Sequence, residues 1–268
     1  MTHLTNDRTV EVRRTRGRLG ARRALGLGLA ALALPLTLGG GIAAAADETV
    51  ETQTVTANGV SRAAVELDMD FGDLTVRSAA AGSGNLVEAT FAFDDDEWRP
   101  TVERSDDGET AVVTIGQPGD AGDLDLNDLD DVIQNEGNSW EIGLTPDVPL
   151  DLMVDLESGA ADLDLNGLTL SGLEVNAEVG EVIVDLSAVV VTEDVDLSIE
   201  LEAGQVEVIV PAGVGVRIDA DTSLGDVDAA GFARDGDAYV NAAYGESDVT
   251  IRLNVDVTAG EIDLTVAE

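Results

Sequence analysis

The sequence predicts an all-β protein, a single-domain right-handed β-solenoid whose stacked coils hold about 20 residues each. The first observation is a repeated phrase, a glycine followed by a short alternating strand, which begins at Gly159, Gly180, Gly204, Gly225, Gly245 and Gly260. The second is the spacing of these glycines, with successive gaps of 21, 24, 21, 20 and 15 residues. The third is a composition rich in aliphatic residues with only 3% aromatics.

Strand periodicity supports this prediction along the chain. In the segment 148–156 (VPLDLMVDL), every second residue is aliphatic and the alternate ones include two aspartates. A period of two is strand geometry, because successive side chains point to opposite faces. The same period recurs at 163–165, 182–186, 195–201, 206–210, 214–218 and 262–266. One unit buries too few aliphatic side chains to offset its ordering entropy, so several must stack.

The chain begins with a predicted signal peptide, residues 1–46. Six arginines between positions 13 and 23 precede the apolar run 24–38 (ALGLGLAALALPLTL), and Ala44-Ala45-Ala46 offers a small-residue cleavage site. We therefore expect a secreted or otherwise extracytoplasmic protein. The pair Arg22-Arg23 leaves a twin-arginine route open. The uncharged stretch 24–46 is long enough to anchor the chain if uncleaved, and only then do we expect membrane contact.

Three regions follow the leader. Residues 47–118 form an N-terminal β region of the solenoid, with a further glycine phrase at Gly72 and a strand candidate at 112–115. Residues 119–138 form an acidic loop that opens after the turn-like sequence Gln117-Pro118-Gly119-Asp120. Residues 139–268 form the regular β-solenoid repeats. We treat these regions as parts of one domain.

Composition after Ala46 excludes several functions. The remaining chain has 7 Arg against 52 Asp and Glu, and it has no Lys, Cys or His. Cysteine nucleophiles, Schiff-base lysines, Ser-His pairs, disulfides and His/Cys metal sites are therefore absent from it. Nucleic acid is not an expected partner, because phosphate binding needs clustered basic residues. The acidity indicates either a halophilic adaptation or a surface that attracts divalent cations or cationic peptides.

One stretch resembles a calcium site. Asp162, Asp164 and Asn166 fit the first positions of an EF-hand loop that continues to Gly167, but the twelfth position is Leu173 where a bidentate Glu is needed. The alternative is an ordinary strand and turn. No other cofactor is expected. The acidic cluster 94–97 beside Trp98 also has two interpretations, a solvated loop or a site for a cation or a sugar. We expect Trp98 and Trp140 to pack against coil ends.

Enzymatic activity is an alternative that the sequence disfavours. Carboxylates alone can hydrolyse glycosides, and β-helix enzymes act on polysaccharides, but here acids alternate everywhere and no pair stands out. A lyase mechanism would require Arg217 or Arg252 as the base. We therefore predict no catalytic residues and no enzyme activity.

The order of phrases resembles the bacterial toast-rack family. These phrases are LVEATFAFDDDEWRPTVE at 86–103, NSWEIGLTPDVPLDL at 138–152, SGAADLDLNGLTLSGLEVNAEVGEVIVDLS at 158–187 and VTAGEIDLTV at 257–266. The family is related to the C-terminal domains of cell-wall-active antibiotic response proteins and to candidate adhesin domains. The resemblance covers 50–268 and implies a β-solenoid; its motifs are structural and carry over no catalytic residue. Those antibiotic-response relatives carry transmembrane helices before this domain and control a sensor kinase, whereas this chain has a signal peptide.

The function expected from these observations is a non-enzymatic, exported β-solenoid at the cell envelope or cell surface. It would act as an adhesin-like or scaffold module that binds a cell-envelope component or a surface protein. An accessory regulator of an envelope-stress sensor is the first alternative, favoured if the leader is not cleaved. An enzyme that acts on envelope polysaccharide is the second.

Overall fold

The computed structural model describes residues 49–94, 96–117 and 138–267. They lie within one compact unit, residues 44–268, and form thirteen strands of a single sheet and one short 3-10 helix. The described segments contain no α-helix and therefore none that is long and apolar enough to cross a membrane. The predicted all-β class is confirmed. The predicted signal peptide and residues 119–137 of the predicted acidic loop lie outside the described residues.

The elements are numbered along the chain. The strands are β1 (Thr49–Thr56), β2 (Arg62–Ser78), β3 (Asn85–Phe93), β4 (Thr101–Asp107), β5 (Thr110–Gly116), β6 (Asn138–Leu144), β7 (Leu150–Asp164), β8 (Leu170–Asp185), β9 (Val195–Val210), β10 (Gly215–Ala230), β11 (Ala233–Asp235), β12 (Ala238–Val240) and β13 (Thr250–Val266), and the 3-10 helix is Asp96–Trp98. Six strands, β2, β7, β8, β9, β10 and β13, contain 15 to 17 residues each. These six form the main stack.

The main stack is parallel throughout, in the spatial order β2, β7, β8, β9, β13, β10. A solenoid that stacked its coils in chain order would place β10 beside β9. Here the last strand, β13, lies between them. The exchange coincides with a longer interval in the regular repeats: 35 residues separate Gly225 from Gly260, and this connection carries β11 and β12.

Each long strand bends at its central glycine, so that both halves face the core. In β9, Leu201 and Val206 are both buried although they are five residues apart. In a straight strand they would point to opposite faces. The bend lies between them, at Gly204, which has a φ of 143°. We call the half before the glycine the first arm and the half after it the second arm; the aliphatic core lies between the two.

The central glycines form a column across the main stack. In register they run Gly72, Gly159, Gly180, Gly204, Gly260 and Gly225, with φ between 128° and 153°. A Cβ built on Gly204 would lie 1.8 Å from the carbonyl oxygen of Gly180, and the distances at the neighbouring members are similar. No side chain fits at such a distance, so each position admits only glycine.

Gly245 corrects the repeat read from the sequence. It lies in the turns between β12 and β13, with a φ of 81°, and is not part of the glycine column. Backbone hydrogen bonds from Glu246 and Ser247 to the carbonyl of Ala243 close a turn around it. Gly72 takes the sixth place in the column. The short gap of 15 residues after Gly245 thus reflects a turn glycine within the final connection.

The two ends of the main stack are covered differently. At the β2 end, the first arm pairs with β5 and the second arm with β6, which extends to β3 and β1. At the other end, β12 pairs with β10 only at Arg217 and Ile218. The buried Asn241 continues this cover: its Oδ1 accepts from the Val216 N–H (3.0 Å) and its Nδ2 donates to two carbonyls.

Substituting a column glycine tests its role. We expect Gly204→Ala to lower the free energy of unfolding by about 3 kcal/mol or more, because the new Cβ would overlap a neighbouring carbonyl and the positive φ would be strained. Gly213→Ala is the matched control, since a Cβ there meets nothing within 4 Å. Urea unfolding of both variants provides the measurement. Equal stabilities for the two variants would contradict the proposed close approach.

Candidate functional site

The registered strands align their outward side chains into rows across the stack. The row four residues before the glycines contains five carboxylates and one amide, in the order Asp68, Asp155, Asn176, Glu200, Asp256 and Asp221. Neighbouring strands lie about 4.8 Å apart. Charges at that spacing are well inside the screening length of about 10 Å at 0.1 M salt. We call this set the carboxylate row.

One contact reduces repulsion within the carboxylate row, and one member of the row shows its effect. Asn176 donates from Nδ2 to Oδ1 of Asp155 at 2.8 Å, so the amide provides a donor where a sixth carboxylate would repel. At the β2 end, partial burial and the negative charge of Asp155 raise the pKa of Asp68 above its ordinary value. Asp68 therefore takes up a proton at a higher pH than an ordinary aspartate does.

The carboxylate row was not identified from the sequence, although the sequence contains its signal. Each member stands four residues before a column glycine, as in Asp155 and Gly159 or Glu200 and Gly204. The spacing alone does not show that the six positions meet. That requires the parallel register, which puts equivalent positions of different repeats next to one another.

The calcium candidate lies on an ordinary strand and turn. Asp162 and Asp164 are exposed on β7, and Asp164 accepts from the Asn166 N–H at 3.1 Å. The Asn166 Oδ1, which a metal would need, accepts from Ser187 Oγ and from the Ala188 N–H. No group of three or more His, Cys, Asp or Glu in the described part of the chain is placed to hold a metal ion. Calcium binding here remains a prediction.

Asp185, on the neighbouring strand, belongs to the same turn network. Burial opposes its charged form, but hydrogen bonds from Ser187 and Asn166 outweigh burial and lower the pKa of Asp185. The side chains around Asn166 therefore hold the turn between β7 and β8 against the turn after β8. These hydrogen bonds explain why an asparagine stands at position 166 without a bound metal ion.

The two arginines named for a lyase mechanism are held in ion pairs. Arg252 Nη2 lies 2.6 Å from Asp194 Oδ2, and Arg217 Nη1 lies 2.9 Å from Asp235 Oδ2. The hydrogen bond and negative charge of Asp194 raise the pKa of Arg252, and the bonds from Arg252 and the Thr250 N–H lower the pKa of Asp194. A base must release its proton, so this environment opposes a catalytic role for Arg252.

Both tryptophans pack within the protein, as the sequence predicted. Trp140 on β6 is fully buried and meets Phe91 edge-on with ring centroids 5.5 Å apart. Trp98 packs edge-on against Phe71 at 4.8 Å and is partly buried against the core. Beside it, Arg99 bonds Asp96 at 2.7 Å. The fully buried Trp140 therefore has no ring face available for stacking on a sugar.

Amide substitutions in the carboxylate row should change stability in opposite directions. We expect Asp68→Asn to raise the free energy of unfolding at pH 7 by about 0.5 to 1 kcal/mol, and Asn176→Asp to lower it by at least as much. The folded-state pKa of Asp68 is raised above 3.8. The stability that Asp68 contributes is fully present below pH 3.8, where its carboxyl is protonated, and is lost as the pH rises through the folded pKa. The gain from Asp68→Asn should therefore disappear near pH 3.5. Urea unfolding at pH 7 and pH 3.5 measures the free energy of unfolding of each variant. A gain from Asp68→Asn that persisted at pH 3.5 would contradict the raised pKa of Asp68.

Salt should stabilise the protein, because it screens the aligned carboxylates. We expect the melting temperature to rise steadily between about 0.05 and 1 M NaCl. A flat response to NaCl would rule out the halophilic interpretation.

CaCl2 at the same ionic strength as NaCl tests the calcium prediction. A rise in melting temperature beyond that in NaCl, lost in the variant Asp162→Asn with Asp164→Asn, would support calcium binding. The variant Glu178→Gln with Glu181→Gln is the control, because it loses the same charge.

Comparisons with known proteins agree with this architecture. Residues 44–209 match the model described as the N-terminal domain of toast_rack, DUF2154, and residues 159–264 match that of the cell wall-active antibiotics response protein LiaF, C-terminal. A solved structure of a candidate cell adhesion protein from Clostridium sporogenes is 28% identical, with a TM-score of 0.75, and the match covers 82% of this chain and 100% of that one.

A second solved structure, a candidate adhesin from Bacteroides fragilis, is 11% identical with a TM-score of 0.26, and that match covers 84% of this chain and 100% of the other. We draw nothing from so low a score. No curated protein matches this chain significantly. The family model for residues 44–209 spans more than half of the sequence, and it confirms the resemblance noted from the phrases. The chain therefore belongs to the toast-rack family.

Proposed function

We propose that this protein is a non-enzymatic, exported β-solenoid that acts at the cell envelope or cell surface as an adhesin-like or scaffold module. The proposal includes a cleaved signal peptide at 1–46 and a right-handed winding with coils of about 20 residues. Its partner is a cell-envelope component or a surface protein. Nucleic acid and, after cleavage, membrane are not partners.

The observation that carries the proposal is the contrast between the two sides of the long strands. Inward positions of inner strands such as β8 and β9 are aliphatic and almost fully buried, while the outward rows are largely acidic. Such a scaffold presents its outer faces without any need for a pocket. The likeness to a solved candidate cell adhesion protein over that chain's whole length supports a surface role.

A regulator of an envelope-stress sensor is the second candidate. The match of residues 159–264 to the C-terminal model of LiaF favours it. Those residues include all of β8, β9 and β10 and most of β13 in the main stack. The two candidates differ in the fate of the leader, because a regulator would remain at the membrane beside its sensor.

Fractionation with N-terminal sequencing tests the proposal. We expect the protein in the extracytoplasmic fraction, with Asp47 as its first residue, because cleavage after Ala46 follows the small-residue pattern. Labelled protein should also bind isolated cell envelopes and release no product from envelope polysaccharides. An intact leader in the membrane fraction would favour the regulator instead. Protein confined to the cytoplasm would overturn the proposal.

A further inference from the structure

We propose that the uncovered edge of β10 binds an extended peptide in which basic and aliphatic residues alternate, as an added strand. The inference rests on the proposed function as a surface interaction module and specifies the partner's chemistry. Strand addition uses backbone hydrogen bonds for affinity and alternate side chains for specificity.

The first observation is an open backbone edge. On one side β10 pairs with β13 as far as Ala230. On the other it pairs with β12 only at Arg217 and Ile218, and no strand in the described part of the chain pairs with that side from Asp219 to Ala230. The unpaired N–H and C=O groups of an edge are a template for another strand.

The second observation is an incomplete apolar layer in the second arm of β10. Val227 and Ala229 are only partly buried, whereas their partners in register on β13, Ile262 and Leu264, are 0% and 1% exposed. Leu224, next to the bend, is 73% exposed. Inner strands receive cover from a neighbour on each side, and β10 lacks it on one side. An added strand with aliphatic residues at alternate positions would supply that cover.

The third observation is unbalanced negative charge beside the same edge. Asp226 and Asp228 are exposed on the outer face, and their partners in register on β13 are Glu261 and Asp263. Gln205 donates to Asp263 at 2.9 Å. No ion pair with Asp226, Asp228 or Glu261 occurs among the described residues. Basic side chains of an added strand would lie next to these carboxylates.

Charge decides between a basic peptide and a second copy of this chain. Two β10 edges paired antiparallel about Val227 would put Asp226 of one copy opposite Asp228 of the other. Like charges across a strand pair are destabilising, and opposite charges contribute favourably. A basic peptide therefore fits the edge, and the acidity acts against self-pairing.

Peptide titration tests the proposal. The probe is a fluorescent, end-blocked peptide of three Lys-Val repeats, added to the purified protein at 0.1 M salt. We expect binding that weakens about tenfold or more in Asp226→Lys with Asp228→Lys, because both contacts become repulsive. The control is Glu178→Lys with Glu181→Lys on the inner strand β8, which changes the net charge equally and should retain most of the affinity. Asp226→Asn with Asp228→Asn is a milder variant if charge reversal prevents folding.

Hydrogen exchange locates the bound peptide. We expect slower amide exchange in 219–230 on binding, and loss of binding when alternate peptide nitrogens are methylated on the face that donates to β10. Equal loss of affinity in the β10 and β8 variants would overturn the proposal, since the attraction would then be diffuse. Binding of the matching Glu-Val peptide, protection elsewhere, or a dimer abolished by the β10 variants would overturn it as well.

Failure here and failure of the proposed function can be told apart. If the protein is exported and binds envelopes but the Lys-Val peptide does not bind, only the inference about the β10 edge fails. If the peptide binds the edge but the protein stays in the cytoplasm, the proposed surface function fails instead.

Discussion

The close approach of backbones at the glycine column is the constraint on which the rest of the structure depends. Five of the six column glycines face the carbonyl oxygen of the glycine in a neighbouring strand, at a distance where any side chain would overlap it, and Gly72 faces the carbonyl oxygen of Asn138 in the same way. A shift of one residue between strands would bring a side chain into the column. The column therefore fixes the register of six strands and the position of the bend that lets both arms of each strand face one core.

The same register creates the electrostatic problem of this molecule. Once equivalent positions are aligned, acids at one place in the repeat become neighbours about 4.8 Å apart. The fold tolerates this because the outward side chains reach water, where repulsion is weakened. Asn176 interrupts the carboxylate row, and Asp68 responds with a raised pKa where the row is partly desolvated. Stability and surface charge are therefore coupled through register.

The ends of the main stack differ from its interior in strand pairing and in the cover of the apolar layer. An inner strand has two paired edges and an apolar layer covered on both sides. At the β2 end, separate groups of strands cover the two arms. At the β10 end, β12 and Asn241 cover the start of the first arm only. The features that distinguish β10, its open edge and its thin apolar layer, both follow from its place at the end of the stack, where one side has no neighbouring strand.

The sequence alone determined the all-β class, the strand periods and the membership of five glycines in a repeating corner, because period two and glycine spacing are local properties of the chain. These five are Gly159, Gly180, Gly204, Gly225 and Gly260. The sequence also indicated that Trp98 and Trp140 pack within the protein. Gly245 was wrongly included, since a turn glycine and a corner glycine before an acid look alike in sequence.

Only the tertiary structure decided which repeats are neighbours. It placed β13 between β9 and β10 and left the second arm of β10 uncovered. Strand order depends on how distant segments pair, and repeats with nearly equivalent edges do not encode it locally. For the same reason the sequence shows that the members of the carboxylate row stand four residues before the column glycines. It does not show that these side chains lie next to one another.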